Sequence, residues 1–231
     1  MRINLLDHGY IRFVEDWGRG DAGEAEAGII EAARQSTAGS FRGWEHDSKL
    51  LAHLYRNKHS TPFEFAGMII EVKAPIFVFR EWHRHRTQGY NEMSARYTPL
   101  PDENYIPSVE RLMIGADSRN KQAGAVAGAD VLTEREALIF QQLLTASYTK
   151  SQEVYQVGLH YGVPKELARL PVPVARYSKM RAVTSLRCWL MFLTLRMDPA
   201  AQWEIRQYAN AVGEIIASRF PQTWDLFKDT A

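Results

Sequence analysis

Residues 74–97, reading APIFVFREWHRHRTQGYNEMSARY, constrain what this chain can fold into more than any other stretch. Ile76, Phe77, Phe79 and Trp82 define an apolar face at helical spacing, while Arg80, Arg84, Arg86 and Arg96 crowd the same segment. Pro75 fits the first turn of a helix, where its missing N–H is no loss. The spacing therefore predicts a helix that leaves a hydrophobic interior and delivers Arg84, His85 and Arg86 at its end. Gln88-Gly89 breaks the pattern, and Asn91-Glu92-Met93-Ser94 begins a polar loop. A surface helix spreads both signs of charge. This one gathers planar, multi-donor cations where a phosphate fits.

The rest of the chain sets the environment of that stretch. At 231 residues and 45% hydrophobic content it can bury a sizeable core, and it reads as one domain over residues 1–231. A net charge of +1 provides no global field for a nucleic-acid polymer or a membrane, so the basic character is local. A single cysteine excludes an internal disulfide framework and a Cys-based zinc cluster, which suits a reducing cytoplasm. No segment approaches the roughly 20 apolar residues that span a bilayer, and the N-terminus lacks a signal-type apolar run. A cytoplasmic location is expected.

In chain order, Arg2 to Val14 alternates as one or two strands, and Gly23 to Arg34 has helical composition. Asp47 is placed to cap a helix through Tyr55. His59 to Pro62 is a turn, and Phe63 to Lys73 is a strand with Met68, Ile70 and Val72 on one side. Residues 115–130 are small and polar and read as a mobile surface loop. Thr133 and Glu136 form a capping-box pattern for a long helix to about Tyr161. A short helix spans Pro164 to Leu170, an apolar helix spans Ala182 to Met197, and Asp198-Pro199 caps a last helix to about Phe220. The expected fold is α+β, with one small, mostly antiparallel sheet and a helical second half.

Few groups advertise chemistry by spacing alone. Cys188 sits among Trp189, Leu190, Met191 and Phe192 and reads as a core thiol. His83 and His85 are too close for an i, i+4 metal pair, so no metal site is expected. His53 and His59 read as surface or hinge residues, and Ser94 has no general base near it in sequence. Arg169 and Arg196 stand in otherwise apolar helices, where an unpaired guanidinium is costly. Each needs either a bound anion or an internal acid such as Glu166 or Glu204.

Arg84 to Arg96, RHRTQGYNEMSAR, resembles the signature of the flavin-dependent thymidylate synthases: Arg-His-Arg, two variable positions, Ser, one variable, Asn-Glu, one variable, Ser, one variable, Arg. Gly89 occupies the first Ser position; the other fixed positions match. The resemblance extends through AAR-x-S near Ser36, HSTPFEF at 59–65, VKAPIFV, YIPS-x-ERL at 105–112, GVPKELAR and FLTLRMDPAAQWEIRQYA. It implies a homotetramer with active sites between subunits, binding FAD, dUMP, methylenetetrahydrofolate and NADPH, and methylating C5 of the uracil without a cysteine nucleophile.

Carried over by position, the resemblance assigns Ser36, His59, Thr61, Arg84, His85, Arg86, Glu92, Ser185, Arg187 and Met191 to FAD. It assigns Glu81, Arg84, Glu92, Met93, Ser94, Ala95, Arg96, Arg169 and Arg196 to dUMP, with the phosphate on the arginines and Ser94. Arg196 is the expected catalytic residue, a cation facing the pyrimidine and favouring the charge shift that makes C5 nucleophilic. Gly89 removes a hydroxyl and permits positive φ. Ser185 and Met191 stand where some relatives carry Asn near the flavin, and His83 where a large apolar residue is common. These departures keep two further readings open: a flavin- and folate-dependent dUMP hydroxymethyltransferase, and a non-catalytic nucleotide-binding protein on the same fold.

Overall fold

A computed structural model describes residues 1–19, 24–114 and 132–229; the 115–130 segment expected as a loop lies outside them. Five strands form an antiparallel sheet in the order β1-β2-β3-β5-β4. β1 (Arg2–Leu5) and β2 (Gly9–Trp17) are the expected N-terminal strands. β3 (Gly67–Pro75) buries Met68, Ile70 and Val72 completely, as its alternation predicts. It starts later than Phe63 because Thr61–Glu64 forms a 3₁₀ turn with Pro62 in its first positions and Phe63 buried beneath it.

The helices are α1 (Ala27–Arg34), α2 (Trp44–Arg56), α3 (Ile76–Trp82), α4 (Val109–Leu112), α5 (Glu134–His160), α6 (Lys165–Ala168), α7 (Leu186–Arg196), α8 (Trp203–Arg219) and α9 (Pro221–Lys228). The Thr133–Glu136 capping box closes the start of α5 as expected, with Thr133 N–H donating to Glu136 Oε2 at 2.8 Å. Asp47 does not cap α2. That helix begins after Gly43 at φ 90°, and Asp47 is buried in its first turn, accepting the Arg42 N–H at 2.7 Å and pairing with Arg34. Likewise Asp198 closes a turn by accepting the Ala200 N–H at 2.7 Å, and α8 begins only at Trp203.

Two expectations fail at the heart of the sheet. Ala182 to Met197 is not one helix: β5 (Tyr177–Ser185) occupies its first part, pairing with β3 from Tyr177↔Pro75 to Ser185↔Gly67. Met180, Ala182 and Thr184 point into the core while Lys179, Arg181 and Val183 point out, so tertiary pairing rather than helical propensity decides this segment. Nor is Asn91 to Ser94 simply a loop. Gly89–Glu92 forms edge strand β4 on β5, which gives its backbone groups ladder partners. Gly89 lacks positive φ. A Cβ there meets Val183 Cγ1 at 2.9 Å, so close cross-strand approach is the local demand for glycine.

Two strand–helix joints position everything that follows. β3 runs into α3 with Pro75 as its extended N-cap, and β5 runs into α7 with Ser185 as its N-cap. Because β3 and β5 are antiparallel, their helices leave from opposite ends of the sheet. Trp82 stacks on Phe192 at 4.6 Å and meets Trp189 edge-on at 6.5 Å, locking α3 against α7 in the core. The opposite sheet face remains open at Lys179, Arg181 and Val183, and α5 exposes Leu138, Ile139, Phe140, Leu143, Val154 and Val157. Among the described residues, no helix is long and apolar enough to cross a membrane.

Candidate active site

α3 ends at Trp82, so Arg84, His85 and Arg86 lie in the turns beyond it rather than on the helix. Those turns are pinned. The Tyr90 hydroxyl donates to the His85 carbonyl at 2.8 Å, Trp82 Nε1 donates to Gln88 Oε1 at 3.0 Å, and Thr184 Oγ1 donates to the Thr87 carbonyl at 3.0 Å. Past β4, the Met93 N–H donates to Lys179 O at 2.8 Å and the Arg96 N–H to Ser94 Oγ at 3.3 Å, which sets the residues after Glu92.

On one side of α3, Glu92, Met93 and Ser94 face Arg169 across a cleft of about 290 Å³ whose other walls are Ile76, Phe79, Arg80 and His83. A second cleft of about 270 Å³ shares Arg80, Glu92, Met93 and Arg169 and adds Ala95, Leu100 and the 170–174 segment. Arg169 is exposed at the end of α6, and neither it nor Arg80 donates to an acid among the described residues. The expected pairing of Arg169 with Glu166 is therefore not made. Two unpaired guanidiniums and a hydroxyl around a small polar cleft are suited to a phosphate. Arg80 and His83 were not among the residues expected here. Their signal is positional: Ile76, Arg80 and His83 recur at i, i+4 and i+7 and share one face of the helix.

On the other side of α3, Glu81 and His85 meet Arg196 at the end of α7. Arg196 Nε donates to His85 Nε2 at 2.9 Å, Nη1 to Glu81 Oε2 at 2.8 Å and Nη2 to the Glu81 carbonyl at 3.0 Å. The acid that pairs with Arg196 is thus Glu81; Glu204 instead accepts from Arg111 at 2.7 Å and from Tyr105. Burial first, then the adjacent Arg196 charge, lowers the His85 pKa to about 4, with Glu81 opposing.

Ser36, His59 and Thr61 line a third cleft of about 800 Å³ with apolar walls of Ala32, Ala33, Leu50, Leu54 and Phe65. Arg34 also lines it, although its guanidinium is committed to Asp47. His53 and His59, read from sequence as surface or hinge residues, meet edge-on at 5.6 Å in this wall. His59 and Leu54 continue into a cleft of about 490 Å³ that contains Arg187 and Met191. Arg187 also pairs with Glu64. Ser185 is near the Cys188 thiol, which is half-buried rather than fully buried. Burial pushes that thiol up, but hydrogen bonds with Thr87, Ser185 and Thr184 outweigh it and hold the thiol below its ordinary value. Arg84, Arg86 and Arg96 are exposed and find no carboxylate among the described residues; the guanidinium of Arg96 lies over the Tyr97 ring at 5.8 Å.

The family model for the thymidylate synthase complementing protein matches residues 21–222. A flavin-dependent thymidylate synthase of Thermus thermophilus is 38% identical over 229 residues, covering 99% of this chain and 79% of the relative. That of Pseudothermotoga lettingae is 34% identical over 227 residues, covering 98% and 93%. A crystal structure of the UMP/dUMP methylase PolB from Streptomyces cacaoi, bound with 5-Br dUMP, superposes with a TM-score of 0.84 at 30% identity, covering 98% of this chain and 97% of that one. The chain belongs to the thymidylate synthase complementing protein family, that of the flavin-dependent thymidylate synthases, which are transferase enzymes.

Proposed function

We propose that this protein methylates dUMP at C5 to give dTMP, taking the one-carbon unit from methylenetetrahydrofolate and two electrons from NADPH by way of FAD. The observation that carries this reading is the split of the nucleotide residues over α3. Arg80, His83, Ser94 and Arg169 lie to one side and Glu81 and Arg196 to the other. In this reading the nucleotide rests its phosphate in the first set of one copy and turns its pyrimidine to Arg196 of another copy. The open sheet face and the apolar residues exposed along α5 provide surfaces for such copies, in keeping with a homotetramer.

FAD fits the third and fourth clefts. They share Leu54 and His59, have apolar walls for flat rings, and carry Ser36, Thr61, Lys58, Arg56 and Arg187 as polar or cationic groups for a pyrophosphate. Ser36, His59, Thr61, Arg187 and Met191 are the residues that would hold it. FAD, when bound, supplies the two-electron relay from NADPH to the one-carbon unit. In the nucleotide site, Arg80, Arg169 and Ser94 bind the phosphate, and Arg196 stabilises negative charge as it develops on the pyrimidine, which raises electron density at C5. In this reading C5 bonds to the methylene carbon of the folate, loss of the C5 hydrogen as a proton breaks the carbon–nitrogen bond so that tetrahydrofolate leaves, and hydride that originates from NADPH then reduces the exocyclic methylene to methyl.

Mass analysis of the product formed by the purified protein tests the reading. dTMP formed only with NADPH and methylenetetrahydrofolate both present, with release of tritium from C5-labelled dUMP, is expected. A product about 16 Da heavier than dTMP identifies the hydroxymethyl reading, in which water replaces hydride. UMP as a parallel substrate determines whether the ribonucleotide is also accepted.

A further inference from the structure

Arg196 leaves α7 with three of its five N–H groups already engaged, by the Glu81 carboxylate, the Glu81 carbonyl and His85 Nε2. The acceptors come from the last turn of α3 and the turn after it, where the helix dipole favours a cation; the Glu81 carbonyl also accepts the Arg84 N–H at 3.3 Å. The His85 ring meets Phe192 edge-on at 4.9 Å, and its main-chain carbonyl is tied to Tyr90. We propose that Glu81 and His85 are positioning residues for Arg196, fixing the plane of its guanidinium and leaving one N–H on each terminal nitrogen for the pyrimidine. This rests on the methylation reading. It also departs from the resemblance, which gives His85 to FAD and Glu81 to the nucleotide.

The geometry dictates a protonation state. An imidazole whose Nε2 accepts from Arg196 carries its hydrogen on Nδ1, because an imidazolium sets N–H against N–H. The lowered pKa of His85 agrees with this neutral form at pH 7. Glu81 compensates the Arg196 charge, so the cluster as a whole is close to neutral. A fixed, compensated cation adds little to ground-state binding, and its dipole is already aimed where charge develops in the transition state.

Two measurements on the full chain test the proposal. Long-range imidazole ¹⁵N NMR at pH 7 should find His85 as the Nδ1–H tautomer; an Nε2–H tautomer or a charged ring overturns it, whatever reaction the protein catalyses. In kinetics, His85→Leu should lower kcat about 100-fold through misplacement of Arg196. KM for dUMP should stay within about twofold and flavin absorbance should be kept. His85→Gln, whose amide oxygen can accept from Arg196, should recover at least about tenfold of the loss. Should His85→Leu fail to fold, Glu81→Ala and Glu81→Gln carry the same pair of expectations. Loss of flavin from both His85 variants, with normal turnover once flavin is resupplied, makes His85 a cofactor ligand and overturns the proposal. Failure of the wild-type protein to form dTMP counts against the methylation reading alone, and the tautomer still decides the clamp.

Discussion

Arg196 and Arg169 are both expected to meet the same nucleotide, yet the fold holds them in opposite ways. Arg196 is 16% exposed at its side chain and tied by three hydrogen bonds, whereas Arg169 is exposed and pairs with no acid among the described residues. A cation that must stabilise charge during a reaction gains from being fixed beforehand, because no reorganisation is then needed at that moment. A cation that captures a phosphate gains from being unpaired, because the anion does not have to displace a carboxylate. On the proposed reading, the two sides of α3 divide the work, one side for chemistry and the other for capture.

The largest effect that can break this division is at Arg196. Arg196→Ala should lower kcat by about 10²–10³-fold with flavin binding retained; near-normal turnover would remove its catalytic role. On the capture side, Arg169→Ala should raise KM for dUMP about tenfold and leave kcat within about threefold, with Arg80→Ala acting in the same direction. Both KM effects should shrink as salt is added, since exposed charges are screened. A fall in kcat without a change in KM at Arg169 would erase the distinction between the two sides.

A smaller effect concerns acidity. His85 binds its proton less tightly in the folded protein, at about 4, than in the unfolded chain, at about 6.5. As pH falls from about 6.5 toward 4 the unfolded chain takes up a proton that the folded one refuses, so this contribution to stability is present above that window and lost through it. His85→Gln should therefore flatten the decline in melting temperature between pH 7 and 4.5; an unchanged slope contradicts the placement of His85. Smallest is Gly89→Ala. Its new Cβ approaches Val183 Cγ1 on an exposed strand edge, which should cost about 1 kcal/mol in unfolding experiments and be relieved by Val183→Ala.

What the sequence showed and what it hid follow from how local each determinant is. The α5 capping box and the alternation of β3 are written in neighbouring residues, and both stand where expected. β5 was hidden because its buried positions include Ser178 and Thr184 while Val183 faces outward, so its period-two pattern blends into the apolar run that follows. β4 was hidden because GYNE has little β character and becomes a strand only by pairing with β5. For the site, the resemblance named Glu92, Met93, Ser94, Ala95 and Arg169, and folding brings them together. Arg80 and His83 line the same cleft only because Arg169 and the residues after it fold back over α3, which no local pattern shows. That the Arg196 partner is Glu81, over 100 positions earlier, is a consequence of two antiparallel strands launching two helices that meet, and no local pattern encodes it.

On the proposed reading, one nucleotide joins the two sides of α3 from two different copies of the chain. Co-expression of Arg196→Ala with Arg169→Ala tests it directly, with activity read at low dUMP, where each variant alone is impaired. If sites are shared, random pairing assembles some sites from an intact Arg196 of one copy and an intact Arg169 of the other. Activity should then return to about a quarter of the wild-type level. A mixture no more active than the two variants measured separately would show that both arginines serve one copy's own site and that no nucleotide is shared between copies.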